Sequence, residues 1–180
     1  MPKGCLSLLF IVCNIGLFGQ SVDSILVDIS DQQLVVYLND GETLRYPTST
    51  SKYGIGNLEG SNQTPLGVHV VQRKYGNGLA AGSILKGRVA TGEIAPITQN
   101  ERATGDDYVT SRILWLKGME PGLNQGLGID SFERYIYIHG THEEGLIGQP
   151  ASHGCIRMIN DDVIELYEIV PIGTQVRIRP

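Results

Sequence analysis

Apolar and polar residues alternate with a period of two along most of the chain, which is the pattern of half-buried strands. Such runs occupy residues 24–30, 33–38, 42–46, 68–72, 112–116, 135–139 and 176–179. Segments rich in glycine, serine and asparagine separate several of them, chiefly residues 51–64 and 118–131, and these are expected to be loops. With 23 glycines in the chain, the pattern favours a loop-rich β architecture.

One segment near the C-terminus follows a helical period instead. The apolar positions of residues 163–170 recur at the spacing of one helix face. Asn160 is expected to cap the helix N-terminus, Asp161 and Asp162 favour its first turn, and Pro171 is expected to end it. We expect this helix to pack behind the chain segment that precedes it.

The first residues resemble a secretory leader rather than part of a folded core. Lys3 precedes a largely apolar stretch, residues 6–18, which is too short and too interrupted for a confident membrane span. Small residues at the −3 and −1 positions favour cleavage before Val22. We therefore predict a signal peptide at residues 1–21 and one domain at residues 22–180, with an uncleaved anchor as the alternative.

Loss of that leader removes two of the three cysteines and leaves Cys155 without a disulfide partner in the chain. In an oxidising compartment a purely structural free thiol is a liability, which favours a chemical role for Cys155. The formal net charge of −5 and the lack of a basic patch argue against a nucleic-acid partner.

A histidine and this cysteine lie at the ends of two apolar runs joined by a turn-rich bridge. Thiol catalysis needs a base that takes the thiol proton and later returns it to a leaving amine. His139 ends its own strand and is the favoured base for Cys155, with His153 as the competitor. The alternative is that Cys155 is a buried small hydrophobe and that each histidine is structural.

Residues around the cysteine suit the same chemistry. Gly154 permits a positive φ and a close approach by substrate, and the amides of Gly154 and Cys155 could point at a developing oxyanion. In an extended chain Arg157 lies on the same side as Cys155. It could hold a substrate carboxylate or form a structural ion pair, and the sequence leaves both alternatives open.

Two blocks, His139-Gly140-Thr141 and Ser152-His153-Gly154-Cys155-Ile156-Arg157, resemble the signature of the L,D-transpeptidase catalytic domain family (YkuD-type). The resemblance extends from Ser24 to Arg179. It implies a mainly β, β-rich α+β fold, a β-sandwich or mixed sheets with a short helix after the catalytic cysteine.

The resemblance also assigns roles to individual residues. Cys155 corresponds to the nucleophile and His139 to the general base, and the Gly140 carbonyl would orient the imidazole. The remaining residues of the two blocks would form the substrate pocket and oxyanion site: Thr141, Ser152, His153, Gly154 and Arg157. No metal or other cofactor is implied.

By the same resemblance, the expected function is exported L,D-transpeptidation in the periplasm or cell envelope. Cys155 would form a thioester at the third residue of a peptidoglycan tetrapeptide stem, release D-alanine and pass the acyl group to an amine, giving a 3→3 cross-link. With water as acceptor the enzyme would be an L,D-carboxypeptidase, and with a lipoprotein partner it would anchor or detach proteins. Sensitivity to carbapenems is a further expectation, and the oligomeric state stays open.

Two other classes of function compete with this one. His139, His142, His153 and Cys155 offer nitrogen and sulfur ligands for a zinc hydrolase, although their spacing lacks the usual paired-ligand form. A non-catalytic wall-binding domain would bind peptidoglycan without using the thiol.

Overall fold

The computed structural model describes residues 21–180, so the predicted leader falls almost wholly outside the described residues. Among the described residues, no helix is long and apolar enough to cross a membrane. The chain forms mostly strands, and the mainly β prediction is confirmed.

Within residues 21–180 one mixed sheet contains ten strands: β1 (Val22–Asp28), β2 (Gln33–Leu38), β3 (Thr43–Pro47), β4 (Gly67–Tyr75), β5 (Ser83–Lys86), β6 (Val89–Ile94), β7 (Thr110–Gly118), β8 (Tyr137–Gly140), β9 (Ile156–Met158) and β10 (Gln175–Arg179). A single turn of 3₁₀ helix spans Glu144–Leu146, and the helix α1 spans Asn160–Ile169.

The strands follow the order β3-β2-β1-β10-β4-β7-β5-β6, and the sheet branches at β7, which also pairs with β8. Most neighbours are antiparallel, but β1 pairs with β10 and β8 pairs with β9 in parallel. Parallel neighbours need a long crossover connection. Between β8 and β9 that connection carries the 3₁₀ turn and the Ser152–Cys155 turn.

Alternation along β7 and β8 sends apolar side chains into two separate clusters. Leu114 and Ile138 join the main core, whereas Trp115 and Tyr137 join a smaller cluster on the opposite face. Helix α1 packs against β7 and β8 and adds Leu166 to the main core. The helix therefore lies behind the β8–β9 segment, as predicted, and leaves the other face of that segment to the candidate site.

Strand ends differ from the predictions in two places. The run predicted at residues 42–46 extends by one residue, to Pro47, which lies opposite Gln33; β3 is an edge strand, where the missing N–H is tolerated. Tyr135 was expected inside a strand but has a φ of 57°, so that β8 begins at Tyr137.

Asn160 is not the helix cap that the sequence predicted. The N-cap position belongs to Ile159, and the Asn160 side chain is buried beneath the first helical turn. Its Oδ1 accepts hydrogen bonds from the Thr110 and Ser111 hydroxyls at 2.7 and 2.6 Å. Its Nδ2 donates to the Thr141 carbonyl and to Glu144 Oε1, both at 2.7 Å. Asn160 thus ties the helix to β7 and to the chain that follows β8.

Replacement of Asn160 by alanine should lower the free energy of unfolding by about 3 kcal/mol, because it leaves several buried polar groups without partners. Denaturant unfolding measures this. Asp161→Ala, an exposed change in the same helical turn, is the matched control and should cost only a few tenths of a kcal/mol. Equal losses in the two variants would contradict the proposed role of Asn160.

Candidate active site

The thiol of Cys155 lies directly before β9, against the start of β8. The pairing of Ile138 with Ile156 sets this position. The Tyr137 amide donates to Sγ at 3.4 Å, and the thiol donates to the Tyr135 carbonyl at 3.4 Å. Cys155 is half-buried and packs against the cluster that contains Trp115 and Tyr137.

His139 lies on the same face of the paired strands as this thiol. Its register partner is Arg157, and its ring meets the Tyr137 ring edge-on at a centroid distance of 6.5 Å. Nδ1 lies 2.7 Å from the Gly140 carbonyl oxygen, which can only accept a hydrogen bond. Nδ1 therefore carries the proton, and Nε2 is the nitrogen left to act as a base. Within the described residues no hydrogen bond joins His139 to Cys155; both lie at the same face of neighbouring strands.

Burial sets the charge state of both groups. It lowers the pKa of His139 to about 4, against the opposing effect of the Asp107 carboxylate. Burial also raises the pKa of the Cys155 thiol to about 12, and the Asp107 charge adds to that rise. At neutral pH the pair is therefore an uncharged thiol beside an uncharged imidazole, not a preformed ion pair.

The turn that leads into Cys155 is built on Ser152 and Gly154. The buried Ser152 hydroxyl donates to the Cys155 carbonyl at 2.6 Å and accepts from the Gly154 amide at 3.2 Å. Gly154 has a φ of 122°, and a Cβ there would lie 3.3 Å from the Gln63 carbonyl oxygen. These constraints require glycine at this position.

Only one of the two backbone amides expected at an oxyanion site is free to donate a hydrogen bond to a bound substrate. The Gly154 amide is directed at Ser152, which differs from the sequence-based expectation. The Cys155 amide has no hydrogen bond within the described part of the chain, and it lies outside the β8–β9 ladder. A developing negative charge on a bound carbonyl would therefore depend on the Cys155 amide.

The Arg157 guanidinium forms ion pairs inside the protein and is not exposed to a substrate. Its side chain is fully buried, and its guanidinium contacts Glu143 at 2.9 Å and Asp107 at 2.5 Å. Of the two alternatives left by the sequence, the structure shows the ion pair. Although burial opposes it, hydrogen bonds from Thr104 and the charge of Arg157 hold the pKa of the Glu143 carboxyl below its usual range.

Asp107 joins this network from the loop between β6 and β7, and the sequence did not single it out. Its carboxylate binds Arg157 and also His153 Nδ1, the latter at 2.6 Å. Although partial burial opposes it, the charge of Arg157 holds the pKa of Asp107 below its usual range. The signal in the sequence was the length of the polar segment at residues 93–107, most of which forms this loop, because long loops in compact domains are often functional.

His153, the competing base, takes part in the same contact. Asp107 occupies its Nδ1, and its ring lies 5.7 Å from the Tyr53 ring, with 42% of its side chain exposed. His153 therefore lies at the rim of the site, whereas His139 lies inside it.

Thr141 differs from its expected place in the pocket. It is fully buried, and its hydroxyl accepts the Glu143 amide at 3.2 Å. His142 is also buried, with Nε2 2.9 Å from the Thr104 hydroxyl. Among residues 21–180 no group of three or more histidine, cysteine, aspartate or glutamate side chains is arranged to hold a metal ion.

Two clefts meet the Asp107–His153 contact. One, of 180 Å³, is lined by His153, Tyr135 and Arg134 together with loop residues. The other, of 430 Å³, is lined by Asp107 and Tyr108 and by the β5–β6 hairpin.

Comparison with known proteins gives one consistent family. A family model described as the L,D-transpeptidase catalytic domain, YkuD, matches residues 23–178. The putative L,D-transpeptidase YkuD of Bacillus subtilis is 43% identical over 91 residues, which cover 50% of each chain. The probable L,D-transpeptidase ErfK/SrfK of Escherichia coli is 28% identical over 155 residues, 86% of this chain and 43% of that protein. The alignments thus span half or less of the length of these two relatives.

Solved structures share the fold. An L,D-transpeptidase from Mycobacterium smegmatis is 19% identical with a TM-score of 0.51, over 90% of this chain and 60% of that one. L,D-transpeptidase 3 from Mycobacterium tuberculosis, in complex with a faropenem-derived adduct, is 18% identical with a TM-score of 0.53. The match covers 90% of this chain and 61% of that chain. At these identities the likeness shows the fold alone.

The free energy of unfolding should fall as the pH drops from 6.5 through 4. Burial lowers the pKa of His139 and of His69 from 6.5 to about 4, so the unfolded chain binds more protons than the folded chain in this window. Above pH 6.5 both imidazoles are neutral in the folded and the unfolded chain, and neither lowers the free energy of unfolding. As the pH falls from 6.5 toward 4, each lowers the free energy of unfolding by up to about 1.4 kcal/mol per pH unit. Denaturant unfolding at a series of pH values measures the slope.

His139→Gln should flatten this pH dependence, because it removes one of the two histidines whose pKa burial lowers to about 4. Equal slopes in wild type and His139→Gln would show that the His139 imidazole titrates normally in the folded protein.

Alkylation of Cys155 by iodoacetamide should accelerate about tenfold per pH unit from pH 7 to 9 without reaching a plateau. Only the thiolate reacts, and burial raises the pKa of this thiol above its ordinary value. Peptide-resolved mass spectrometry gives the rate for this cysteine, with the denatured protein as control. A plateau near neutral pH in the folded protein would reveal a preformed thiolate instead.

Proposed function

The chain belongs to the L,D-transpeptidase catalytic domain family, and on that premise we propose that it is a cysteine acyltransferase acting on peptidoglycan tetrapeptide stems. One observation carries the proposal for the site. Cys155 and His139 lie on one face of two adjacent parallel strands, with His139 Nδ1 bound to the Gly140 carbonyl. The remaining imidazole nitrogen is thereby left free to accept a proton.

In the first half-reaction Cys155 Sγ attacks the carbonyl between the third residue, a diamino acid, and the terminal D-alanine. The thiol proton passes to His139 Nε2 as the carbon–sulfur bond forms. The carbon–nitrogen bond then breaks, and the same proton leaves on the amine of D-alanine. The product is a thioester at Cys155.

In the second half-reaction an amine of a neighbouring stem attacks the thioester carbonyl. His139 accepts a proton from that amine and returns it to the departing sulfur. The result is a 3→3 cross-link and a regenerated thiol. Water in place of the amine would give an L,D-carboxypeptidase, and a lipoprotein amine would give protein anchoring.

The uncharged resting pair suits this sequence of steps. Since neither group is ionised at neutral pH, proton transfer accompanies the attack and no thiolate waits in the empty site. The free Cys155 amide supports the developing oxyanion, and the Asp107–Arg157–Glu143 ion pairs support the walls around it. We further propose that residues 1–21 direct export to the periplasm or cell envelope, where the substrate lies.

The test is mass spectrometry of purified protein incubated with a disaccharide-tetrapeptide. Wild type should release D-alanine, show a Cys155 thioester and form cross-linked dimer, whereas Cys155→Ala should do none of these. His139→Gln should lose at least about 100-fold in rate, because it lacks the base. His153→Gln is the matched variant at the competing base and should lose far less.

The outcomes separate the alternatives. Release of D-alanine by Cys155→Ala would contradict the assignment of the nucleophile. Tripeptide without dimer would identify water as the acceptor. A larger loss in His153→Gln than in His139→Gln would transfer the role of base to His153, and saturable peptidoglycan binding without any adduct would favour a binding domain.

A further inference from the structure

An arginine at the tip of the β5–β6 hairpin contacts the aromatic cluster against which the candidate nucleophile packs, and the proposed reaction does not use it. The two-residue turn consists of Gly87 and Arg88, with φ values of 58° and 70°. Left-handed backbone at both positions is the pattern of a type I′ turn. A bulky residue such as arginine is uncommon there, because its Cβ crowds the backbone. The guanidinium of Arg88 is nevertheless held in one place.

Aromatic residues hold that guanidinium in place. It donates to the Tyr137 hydroxyl at 3.0 Å and lies 4.7 Å from the centre of the Trp115 ring and 5.3 Å from that of Tyr135. Cation–π contacts of this kind orient a guanidinium without consuming its N–H groups. Arg88 is therefore a preorganised cation in a half-buried setting.

The same tyrosines bring this cation to the thiol. The backbone of Tyr137 donates to Cys155 Sγ, and the backbone of Tyr135 accepts from it. Cys155 also packs against the cluster that includes Trp115. The thiol and the guanidinium thus lie against the same two tyrosines, the thiol at their backbone and the guanidinium at their side chains.

Within residues 21–180 this cation has no carboxylate partner. The ion pairs in that part of the chain involve His153, Arg157 and Arg179, and none involves Arg88. One of its five N–H donors is used, by an uncharged hydroxyl. By contrast, Arg157 binds two carboxylates. A guanidinium that is fixed and only partly used is suited to bind a carboxylate with two parallel hydrogen bonds.

We propose that Arg88 is a specificity-determining residue that binds a carboxylate of the donor peptide beside Cys155. The proposal rests on the function proposed above. A stem with a carboxylated diamino acid at its third position offers two such groups, the side-chain carboxylate of that residue and the terminal carboxylate of D-alanine. The terminal carboxylate lies one residue beyond the reacting carbonyl, about 3.5 Å along the chain. The other carboxylate lies at the far end of the side chain of the residue that carries the reacting carbonyl.

Binding to the Cys155→Ala protein tests the proposal without any need for turnover. Trp115 is the single tryptophan of the chain, and Arg88 covers its ring, so its fluorescence reports binding there. The probes are three synthetic tetrapeptides: the dicarboxylate, its side-chain carboxamide and its C-terminal carboxamide. One carboxamide should bind roughly tenfold more weakly than the dicarboxylate, and it identifies the carboxylate that Arg88 holds.

When Arg88→Gln is combined with Cys155→Ala, the difference in affinity between the peptides should disappear. Arg88→Lys keeps the charge but cannot form two parallel hydrogen bonds, so it should retain part of the difference. Arg73→Gln is the matched control. Arg73 also contacts the Trp115 ring, at 5.8 Å, and within residues 21–180 its other cation–π contact is with Phe132, not with either tyrosine. This control should leave the discrimination intact. Thermal unfolding of each variant shows that the fold is retained.

Equal affinity for all three peptides, no binding of any peptide, or discrimination that survives Arg88→Gln would overturn the proposal. Wild-type turnover, measured separately, tests the proposed function. If the Arg88-dependent discrimination is present but wild type neither releases D-alanine nor forms an adduct, the carboxylate site stands and the transpeptidase assignment fails.

Discussion

The parallel register of β8 and β9 is the constraint on which the candidate site depends. Ile138 opposite Ile156 sends those two side chains into the main core and leaves His139 and Cys155 on the other face. A slip of one residue would reverse the face of every side chain on one strand. The buried isoleucines, held by helix α1 behind them, therefore fix the relation between base and nucleophile more firmly than any contact between those two groups.

Buried charges then join the loops to this frame. Arg157 on β9 is fully buried and needs both Glu143, from the crossover after β8, and Asp107, from the loop after β6. Removal of such charges from water is costly, so the presence of these ion pairs is weak evidence of added stability, but they do join both loops to β9. Asp107 also binds His153, and the loop is thus held across the site between the two clefts.

Burial also decides how reactive the site is at rest. The pKa of Cys155 is raised and that of His139 is lowered, so neither group is charged near neutral pH. A protonated thiol reacts slowly with oxidants, which would protect Cys155 if the protein is exported as proposed. Chemistry would then begin when a substrate carbonyl arrives and the proton moves. The charge of Arg88, on the aromatic cluster against which Cys155 packs, would select which peptide arrives.

The sequence alone determined the features that depend on residues close together along the chain. Alternation predicted β2 at residues 33–38 and the helix after the cysteine, and two short blocks identified the family through His139 and Cys155. The tertiary structure decided the partners. It paired Arg157 with Asp107 and Glu143, residues far apart along the chain, and it buried Asn160 instead of leaving it as a cap. Periodicity reports which way a side chain points, whereas a hydrogen bond or ion pair requires two distant segments to meet, and only the packed sheet brings them together.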